Sequence, residues 1–448
     1  MSEREALPSN VNAHPWHELR DALKSSQFQV AFLFFYCLLF AYYLLRPVRE
    51  EVGILQGVDN LQWLYTGTFV VMLLIVPLFG WLKNKLRRRT LVRTVYLFFS
   101  LNLMAFYVLF AEDLMSTWVA RAFFIWLSVF NMFAVSVFWS LMADVYPRRK
   151  ARSLFAPVAA AGSLGGISGS WITAQYVTDI GIRNLLLLAA LLLVVVALCA
   201  TRLLRYGDEH RAERAAATGN AAPDLAQEQA NQGGILVGVT ALANSPYLAK
   251  IAIISLLYTV IASLLYFIQQ NLVAEFLSDS LVRTQFFARI NLAINIAALC
   301  FQFFVTSWLV KRFGVSGTYS GSIIAVIAGV IVLGIWPAVA TIAVAQIVLR
   351  AGQFGTMKPC YDMLFSAVSR EQKYKSKNFI DTSLVRGGDL LGGWSFTGLK
   401  LAGLTVGGIT AVTVVLLVAL AGVAIKVGRE FDEGSANSLT VRSAQSLQ

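Results

Sequence analysis

Residues 80–89 read GWLKNKLRRR, and residues 307–314 read SWLVKRFG. Both segments follow an apolar stretch and place a Trp-Leu pair before a basic cluster. They are separated by 227 residues, and the same separation relates two other parts of the chain. The matched positions are Trp81 and Trp308, Leu82 and Leu309, Lys85 and Arg312, Asp144 and Glu371, Lys150 and Lys377, and Gly165-Gly166 and Gly392-Gly393. One constant separation at three places predicts a parallel repeat of two similar halves.

The apolar composition predicts that these halves lie in a membrane. Of the 448 residues, 57% are hydrophobic and 14% are charged, whereas about a quarter of the residues in a typical soluble domain are charged. A helix that crosses a bilayer needs about 20 predominantly apolar residues. We predict twelve such spans, numbered in order, at residues 28–48, 63–82, 93–111, 117–143, 154–177, 184–204, 248–271, 286–310, 319–336, 338–365, 378–402 and 405–426. The predicted fold class is an all-α polytopic membrane protein with twelve transmembrane helices in two parallel six-helix repeats.

Polar segments divide the chain into five parts. We predict a cytoplasmic N-terminal segment at residues 1–27 and a first six-helix half at 28–205. A cytoplasmic linker at 206–246 leads to the second six-helix half at 247–427, and a cytoplasmic tail follows at 428–448. Basic residues concentrate in the loops that follow even-numbered spans, which is typical of cytoplasmic loops. This orientation places both termini in the cytoplasm, and we expect the cell inner membrane to be the location.

Composition and spacing also argue against several classes of protein. The net charge of +12 comes from basic clusters between apolar runs, which favours a membrane protein over one that binds nucleic acid. The four cysteines share no close spacing, and the three histidines lie outside the apolar runs. We therefore predict no metal site and no cofactor. The chain has no Walker A sequence and no assignable nucleophile–base pair, so we expect a protein that is not an enzyme and that functions as a monomer.

The loop after span 2 resembles a signature of the major facilitator superfamily. Its residues Gly80, Leu82, Lys85, Arg88 and Arg89 match the form G-x-L-x-D-R-x-G-R-R, with asparagine at the aspartate position and arginine at the second glycine. Residues 162–169 are similar to the glycine-rich stretch of the fifth helix in that superfamily. Two readings of these glycines stay open, close helix packing and a role in a rocking motion.

Spans 1, 4–5 and 10–11 resemble a narrower family, the ATP/ADP carriers of plastids and intracellular bacteria. The resemblance is carried by segments similar to that family's motifs, at residues 43–51, 138–144, 358–363 and 375–381. The chain has Tyr361 where the family has a lysine, and the neutral residues 269–271 replace a charged segment near span 7. The resemblance implies transport of an anion. It leaves open whether the anion is a nucleotide, because several charged residues that contact the nucleotide in that family are absent.

The major-facilitator resemblance implies that spans 1, 4, 7 and 10 line a central path. Each of these spans carries polar side chains at helical spacing, which lipid cannot satisfy. We predict that the substrate-binding residues are Arg46, Arg49, Arg121, Asn131, Tyr266, Gln270, Arg350, Gln353 and Lys358. The predicted gating or coupling residues are Glu50, Asp144, Asp362, Glu371, Arg386 and Asp389.

Arg350 is the most informative of these residues, because it lies near the middle of span 10. A charge there is costly unless something offsets it. Two readings stay open, a structural ion pair with Asp389 and an anchor for a substrate phosphate or carboxylate.

The other charges in the spans also have two readings each. In one reading, the long side chains of Arg46 and Arg49 extend to the membrane interface. In the other, Arg49 pairs with Glu50 and Glu51 and forms a gate. Lys358 with Asp362, and Arg386 with Asp389, have the spacing of local helical pairs.

The predicted function is secondary active transport of an anionic organic solute by alternating access. Basic residues in or near the spans outnumber unpaired acids, which favours a nucleotide or another phosphorylated or carboxylated metabolite as substrate. The partners expected are this small-molecule anion and the lipid bilayer. The alternatives are a major-facilitator permease for an unrelated solute, such as a siderophore, peptide or drug, and a lipid flippase.

Overall fold

A computed structural model describes residues 23, 25–85, 88–110, 117–146, 148–218, 240, 242–243, 245–368, 372, 376–377 and 379–445. Every long element in these ranges is a helix. The helices are α1 (Ser26–Leu55), α2 (Leu61–Lys85), α3 (Arg88–Leu109), α4 (Thr117–Val145), α5 (Arg148–Thr218), α6 (Pro246–Phe276), α7 (Ser280–Cys300), α8 (Thr306–Ile335), α9 (Val339–Gly352), α10 (Lys358–Leu364), α11 (Val385–Leu401) and α12 (Val406–Gln445). Short π-helical turns at Phe301–Val305, Gln353–Met357 and Ile380–Leu384 continue into neighbouring helices.

The described helices account for the twelve predicted crossings. Among the described residues, nine segments are long and apolar enough to cross a bilayer, and two of them, Pro157–Asp208 and Ser280–Ile335, hold 52 and 56 residues. Since about 20 residues cross the hydrocarbon core once, each of these two segments is long enough to cross twice. Gly181 and Gly314 provide the bends, with φ of 75° and 69°. The helix α11, together with the π-helical turn before it, supplies the remaining crossing.

Several helix boundaries differ from the predicted ones. Spans 5 and 6 form the single bent element α5, which continues to Thr218 and so enters the predicted linker. The predicted break around Trp336 is present, since α8 ends at Ile335 and α9 begins at Val339. Span 10 is divided among α9, a π-helical turn and α10.

Glycines allow two repeat-related helix pairs to pack closely. A Cβ atom added to Gly165 in α5 would lie 2.2 Å from the carbonyl oxygen of Tyr36 in α1. A Cβ atom added to Gly392 in α11 would lie 2.5 Å from the Cβ atom of Ser263 in α6. Both members of the second pair follow those of the first by 227 residues. The repeat predicted from the sequence therefore extends to the packing of the helices.

The apolar core beneath the central cavity contains stacked aromatic rings. Phe35 stacks on Phe138 with ring centroids 4.3 Å apart, and Phe34 meets Tyr96 edge-on at 5.3 Å. The Tyr96 hydroxyl donates a hydrogen bond of 2.8 Å to the carbonyl oxygen of Ala134, which satisfies its buried polar group. These contacts fix α1 against α3 and α4, and so set the position of the polar residues that follow on α1.

Candidate functional site

A cavity of about 590 Å³ lies between the two halves. Its walls come from α1, α2, α4, α6, α9, α11 and the π-helical turns beside α9 and α11. The predicted site residues that line it are Arg46, Arg49, Glu50, Asn131, Tyr266, Arg350, Arg386 and Asp389. The structure thus brings together side chains from spans 1, 4, 7 and 10 with those of span 11.

Two arginines of α1 face this cavity over aromatic rings. The guanidinium of Arg49 lies 4.3 Å from the ring centroid of Phe124, and its Nε is buried with no partner among the described residues. The guanidinium of Arg46 lies 5.6 Å from the ring centroid of Tyr43 and donates a hydrogen bond of 3.5 Å to the Tyr43 hydroxyl. Both side chains are half-buried in the protein, so they do not snorkel to the membrane surface.

Arg350 is half-buried in the cavity wall and forms no ion pair within the described part of the chain. The structural pair with Asp389, one of the two readings of the sequence, is therefore not formed. Asp389 instead accepts a hydrogen bond of 3.0 Å from Arg386 and one of 3.3 Å from the hydroxyl of Ser263. The short spacing along α11 brings Arg386 to Asp389 and leaves Arg350 facing the cavity.

The two acids at the end of α1 have partners other than Arg49. Glu50 accepts a hydrogen bond of 3.2 Å from the side-chain amide of Gln270. Glu51 points away from the cavity and forms an ion pair with Arg283 of α7 at 2.6 Å. The ion pairs of Arg49 with Glu50 and Glu51, one of the two readings of the sequence, are therefore not formed among the described residues. Glu51 pairs instead with Arg283, a residue that the sequence analysis did not single out.

A cluster of charges surrounds Asp381, which also lines the cavity. Lys358 lies 3.4 Å from Asp381 and 3.5 Å from Asp362, and Lys377 pairs with both acids. The hydroxyl of Tyr361 donates a hydrogen bond of 3.3 Å to Asp381. Burial lowers the pKa of Lys377, but its two carboxylate partners raise it by more, so that the pKa lies above its ordinary value. The predicted pair of Lys358 and Asp362 is present as part of this larger network.

The remaining predicted residues lie outside the cavity wall or outside the described detail. The guanidinium of Arg121 lies 5.2 Å from the ring of the exposed Trp118, and Gln353 is part of a π-helical turn. Gln270 lies behind the wall and contacts it through Glu50. The side chain of Asp144, and all of Glu371, lie outside the described residues.

The cavity also contains residues that the sequence analysis missed. Tyr65, Thr68 and Phe69 of α2 and Thr382 beside α11 line it. Span 2 carries few polar residues, so its tyrosine and threonine gave only a weak signal. Asp381 lies in the segment 375–381 that resembles a motif of the ATP/ADP carriers, and this resemblance indicated that span 11 contributes to the site.

Contacts between the halves gather at the end of the bundle where α1 finishes. Besides the pair of Glu51 and Arg283, the indole of Trp394 donates a hydrogen bond of 3.1 Å to Thr66 and packs on Trp63 at 4.9 Å. Further contacts at this end join Lys400 to Asp59 at 2.6 Å and Gln285 to the carbonyl oxygen of Ala174 at 2.9 Å. This end is closed by direct contact between the halves.

At the opposite end, two contacts that the structure describes each join helices of the same half. The hydroxyls of Ser26 and Tyr206 lie 2.9 Å apart in the N-terminal half. In the C-terminal half, Lys250 and Glu430 form an ion pair at 2.5 Å. The cavity lies between the closed end and this opposite end of the bundle.

Comparison with known proteins agrees with this architecture. The family model of the Major Facilitator Superfamily matches residues 28–388, which is more than half of the chain. The chain belongs to the major facilitator superfamily. It is therefore a multi-pass membrane transporter with a small-molecule substrate. A comparison with curated proteins found no match to its sequence.

Solved structures of major-facilitator transporters share the fold at low sequence identity. A bacterial homologue of the human lysosomal transporter Spinster, inward-facing and unoccupied, has a TM-score of 0.58 at 13% identity, covering 93% of this chain and 98% of its own. The nucleoside transporter NupG has a TM-score of 0.58 at 14% identity, with coverage of 91% and 98%. The human organic anion transporter MFSD10 has a TM-score of 0.56 at 15% identity, with coverage of 90% and 100%.

Proposed function

We propose that this major-facilitator protein is a secondary active transporter of an anionic organic solute. The observation that carries the proposal is Arg350, a half-buried guanidinium in the cavity wall that forms no ion pair among the described residues. A charge at this depth is costly unless a counter-charge arrives. A substrate carboxylate or phosphate supplies that counter-charge and accepts charge-assisted hydrogen bonds from the guanidinium.

The charge balance of the cavity supports an anion. Arg386 is matched by Asp389, and the network of lysines holds Asp381. The remaining charged groups of the wall are Arg46, Arg49, Glu50 and Arg350. Three guanidinium groups against one carboxylate leave positive charge for the solute to neutralise.

The cavity walls also offer aromatic surface to the rest of the solute. Tyr42, Tyr65, Phe69, Phe124 and Phe354 line it together with the arginines. Aromatic rings bury large apolar area, and the fork of a guanidinium group matches the geometry of carboxylates and phosphates. A nucleotide or another phosphorylated or carboxylated metabolite has both features. The resemblance to ATP/ADP carriers is part of this proposal, since Arg46 and Arg49 of its first segment line the cavity.

The proposal includes an orientation and a mechanism. With the N-terminus in the cytoplasm, the closed contacts of Glu51 and Arg283 lie on the outer side and the structure corresponds to a cytoplasm-facing state. Alternating access then requires these contacts to break while the halves meet at the other end. We place the protein in the cell inner membrane as a monomer whose two halves, 28–205 and 247–427, move as units.

A binding screen on the purified protein tests the proposal. The melting temperature in detergent is measured with ATP, ADP, inorganic phosphate and several organic carboxylates, and with neutral solutes such as a nucleoside. A ligand that binds only the folded state raises the melting temperature as its concentration rises. We expect stabilisation by at least one anion, and loss of that stabilisation in Arg350→Ala. Stabilisation by neutral solutes alone overturns the proposal and favours a permease for an uncharged substrate.

A further inference from the structure

A second, smaller cavity of about 30 Å³ branches from the central one. Arg46, Glu50, Tyr266 and Arg350 line both cavities and so form the junction between them. The side cavity is completed by residues of α6, α7 and α9 that do not reach the central space. A group on a solute in the central cavity therefore has a defined place to enter.

Gln346 of α9 lines the side cavity, and its amide nitrogen lacks an acceptor among the described residues. Its side chain is 2% exposed, and its Nε2 has no hydrogen-bond acceptor in the described part of the chain. Gln346 precedes Arg350 by four residues, so the two side chains lie on one face of the helix. A buried amide N–H without an acceptor is unfavourable, and most such groups in proteins are bonded. The orphan donor thus points to an acceptor that enters from outside.

The charges around the side cavity specify the sign of that acceptor. Two guanidinium groups, of Arg46 and Arg350, face one carboxylate, that of Glu50. Glu50 is itself engaged by the amide of Gln270 at 3.2 Å. One positive charge is left over, which suits a group that carries a single negative charge.

The volume of the side cavity limits the size of the group. A single water position needs about 10–15 Å³ of such space, so the 30 Å³ here holds about two oxygen atoms. The two oxygens of a carboxylate fit this space and lie in one plane. A phosphate monoester has three terminal oxygens around a tetrahedral phosphorus and carries more than one negative charge near neutral pH.

We propose that the side cavity is a carboxylate subsite, so that the transported anion is an organic carboxylate whose body occupies the central cavity. This inference rests on the proposed transport of an anion and narrows its substrate class. Arg46 and Arg350 bind the carboxylate as a pair, and the amide of Gln346 donates a third hydrogen bond. Glu50 keeps its hydrogen bond from the amide of Gln270.

Matched probes on the full-length protein in detergent test the subsite. The probes are benzoate, phenyl phosphate and the neutral benzamide, which share one ring and differ in the attached group. The variants are Gln346→Leu and Gln346→Glu. The control is Gln62→Leu in α2, which removes another buried amide with an unpaired atom that lines neither cavity. Dissociation constants come from calorimetry, and melting temperatures report the folding of each variant.

We expect benzoate to bind more tightly than phenyl phosphate and benzamide. Loss of a hydrogen bond to a charged group weakens benzoate binding by about 10- to 100-fold in Gln346→Leu, and Gln346→Glu weakens it further by repulsion. Without ligand, Gln346→Leu melts at or above the wild-type temperature, because it removes an unpaired buried donor. Gln62→Leu leaves benzoate binding unchanged.

Other outcomes overturn the subsite in distinguishable ways. Phenyl phosphate binding as tightly as benzoate overturns the carboxylate assignment and leaves anion transport standing. Benzoate binding that is equal in wild type and Gln346→Leu shows that the side cavity holds water only. If benzamide binds as well as both anions, or if no probe binds, the subsite is rejected, and the first of these results also contradicts the proposed function.

Discussion

The carboxylate of Glu51 accepts two hydrogen bonds from the guanidinium of Arg283, at 2.6 Å from Nη2 and at 2.7 Å from Nε. Glu51 is fully buried, and Arg283 is 8% exposed. The third nitrogen, Nη1, donates to the carbonyl oxygens of Leu277 and Ser278 at 2.9 Å each. Every guanidinium nitrogen therefore has an acceptor. The pair joins α1 to α7, and so connects the two halves at the closed end.

Neutralising Glu51 is expected to loosen this end. Glu51→Gln keeps the shape of the side chain but leaves the buried charge of Arg283 uncompensated, which typically costs about 3–5 kcal/mol. Spin labels on Leu55→Cys and Leu401→Cys, both exposed at this end, report the distance between the halves. Electron paramagnetic resonance should show a larger population of long distances in Glu51→Gln than in the parent.

A second ion pair at the same end is the matched control. Lys400 and Asp59 also join the halves, but their side chains are 46% and 77% exposed. Exposed pairs contribute about 0–1 kcal/mol, so Asp59→Asn should leave the distance distribution nearly unchanged. An equal shift in both variants contradicts the special role of the buried pair.

Replacing Arg350 should weaken anion binding without unfolding the protein. A hydrogen bond to a charged group is worth about 1.5–3 kcal/mol, so Arg350→Ala should weaken the binding of the transported anion by about 10- to 100-fold. Because Arg350 has no ion partner among the described residues, the melting temperature without ligand should not fall. Titration of each purified variant measures both effects.

Arg121→Ala is the control for the loss of one positive charge. Arg121 lies over Trp118 and does not line the cavity, so its removal should leave anion affinity within about twofold of wild type. If Arg350→Ala unfolds, and Asp389→Ala restores its stability, Arg350 is a structural partner after all and the assignment as an anchor is wrong.

The close packing at Gly165 predicts an asymmetry among glycine substitutions. A Cβ atom there would meet the carbonyl oxygen of Tyr36 at 2.2 Å, whereas one at Gly387 has no atom within 4 Å. Overpacking typically costs about 1–3 kcal/mol, so Gly165→Ala should lower the melting temperature. Gly387→Ala should raise it slightly, because alanine favours a helix by up to about 1 kcal/mol over glycine. A similar change in both variants contradicts the packing of α5 on α1.

The fold was predictable from the sequence because a bilayer imposes strong constraints. Apolar runs of the required length mark the spans, and the repeat shows how they are grouped. Boundaries were less predictable where no polar loop separates two crossings. The bend at Gly314 follows the basic residues Lys311 and Arg312 directly and lies within one continuous element. The predicted break at residues 311–318 contains this bend, but the sequence does not show that the helix continues on both sides of it.

The candidate site was partly predictable. Arg350 and Arg46 were identified because charges within an apolar helix need a polar environment. The partner of Glu51 was not identified, because Arg283 lies 232 residues away and at the start of its helix, where a basic residue is unremarkable. Likewise, whether Asp389 pairs with Arg350 or with Arg386 depends on the rotation of α11 about its axis, which the composition does not determine.

Uptake into liposomes that contain the purified protein tests the central claim most directly. Labelled ATP, ADP, phosphate and organic carboxylates are compared with a nucleoside and a neutral amide, with and without counter-substrate or a pH gradient. The account predicts that at least one anion accumulates above the level of protein-free liposomes, and that Arg350→Ala loses this uptake while Arg121→Ala retains it. Uptake of a neutral solute with none of any anion would contradict it.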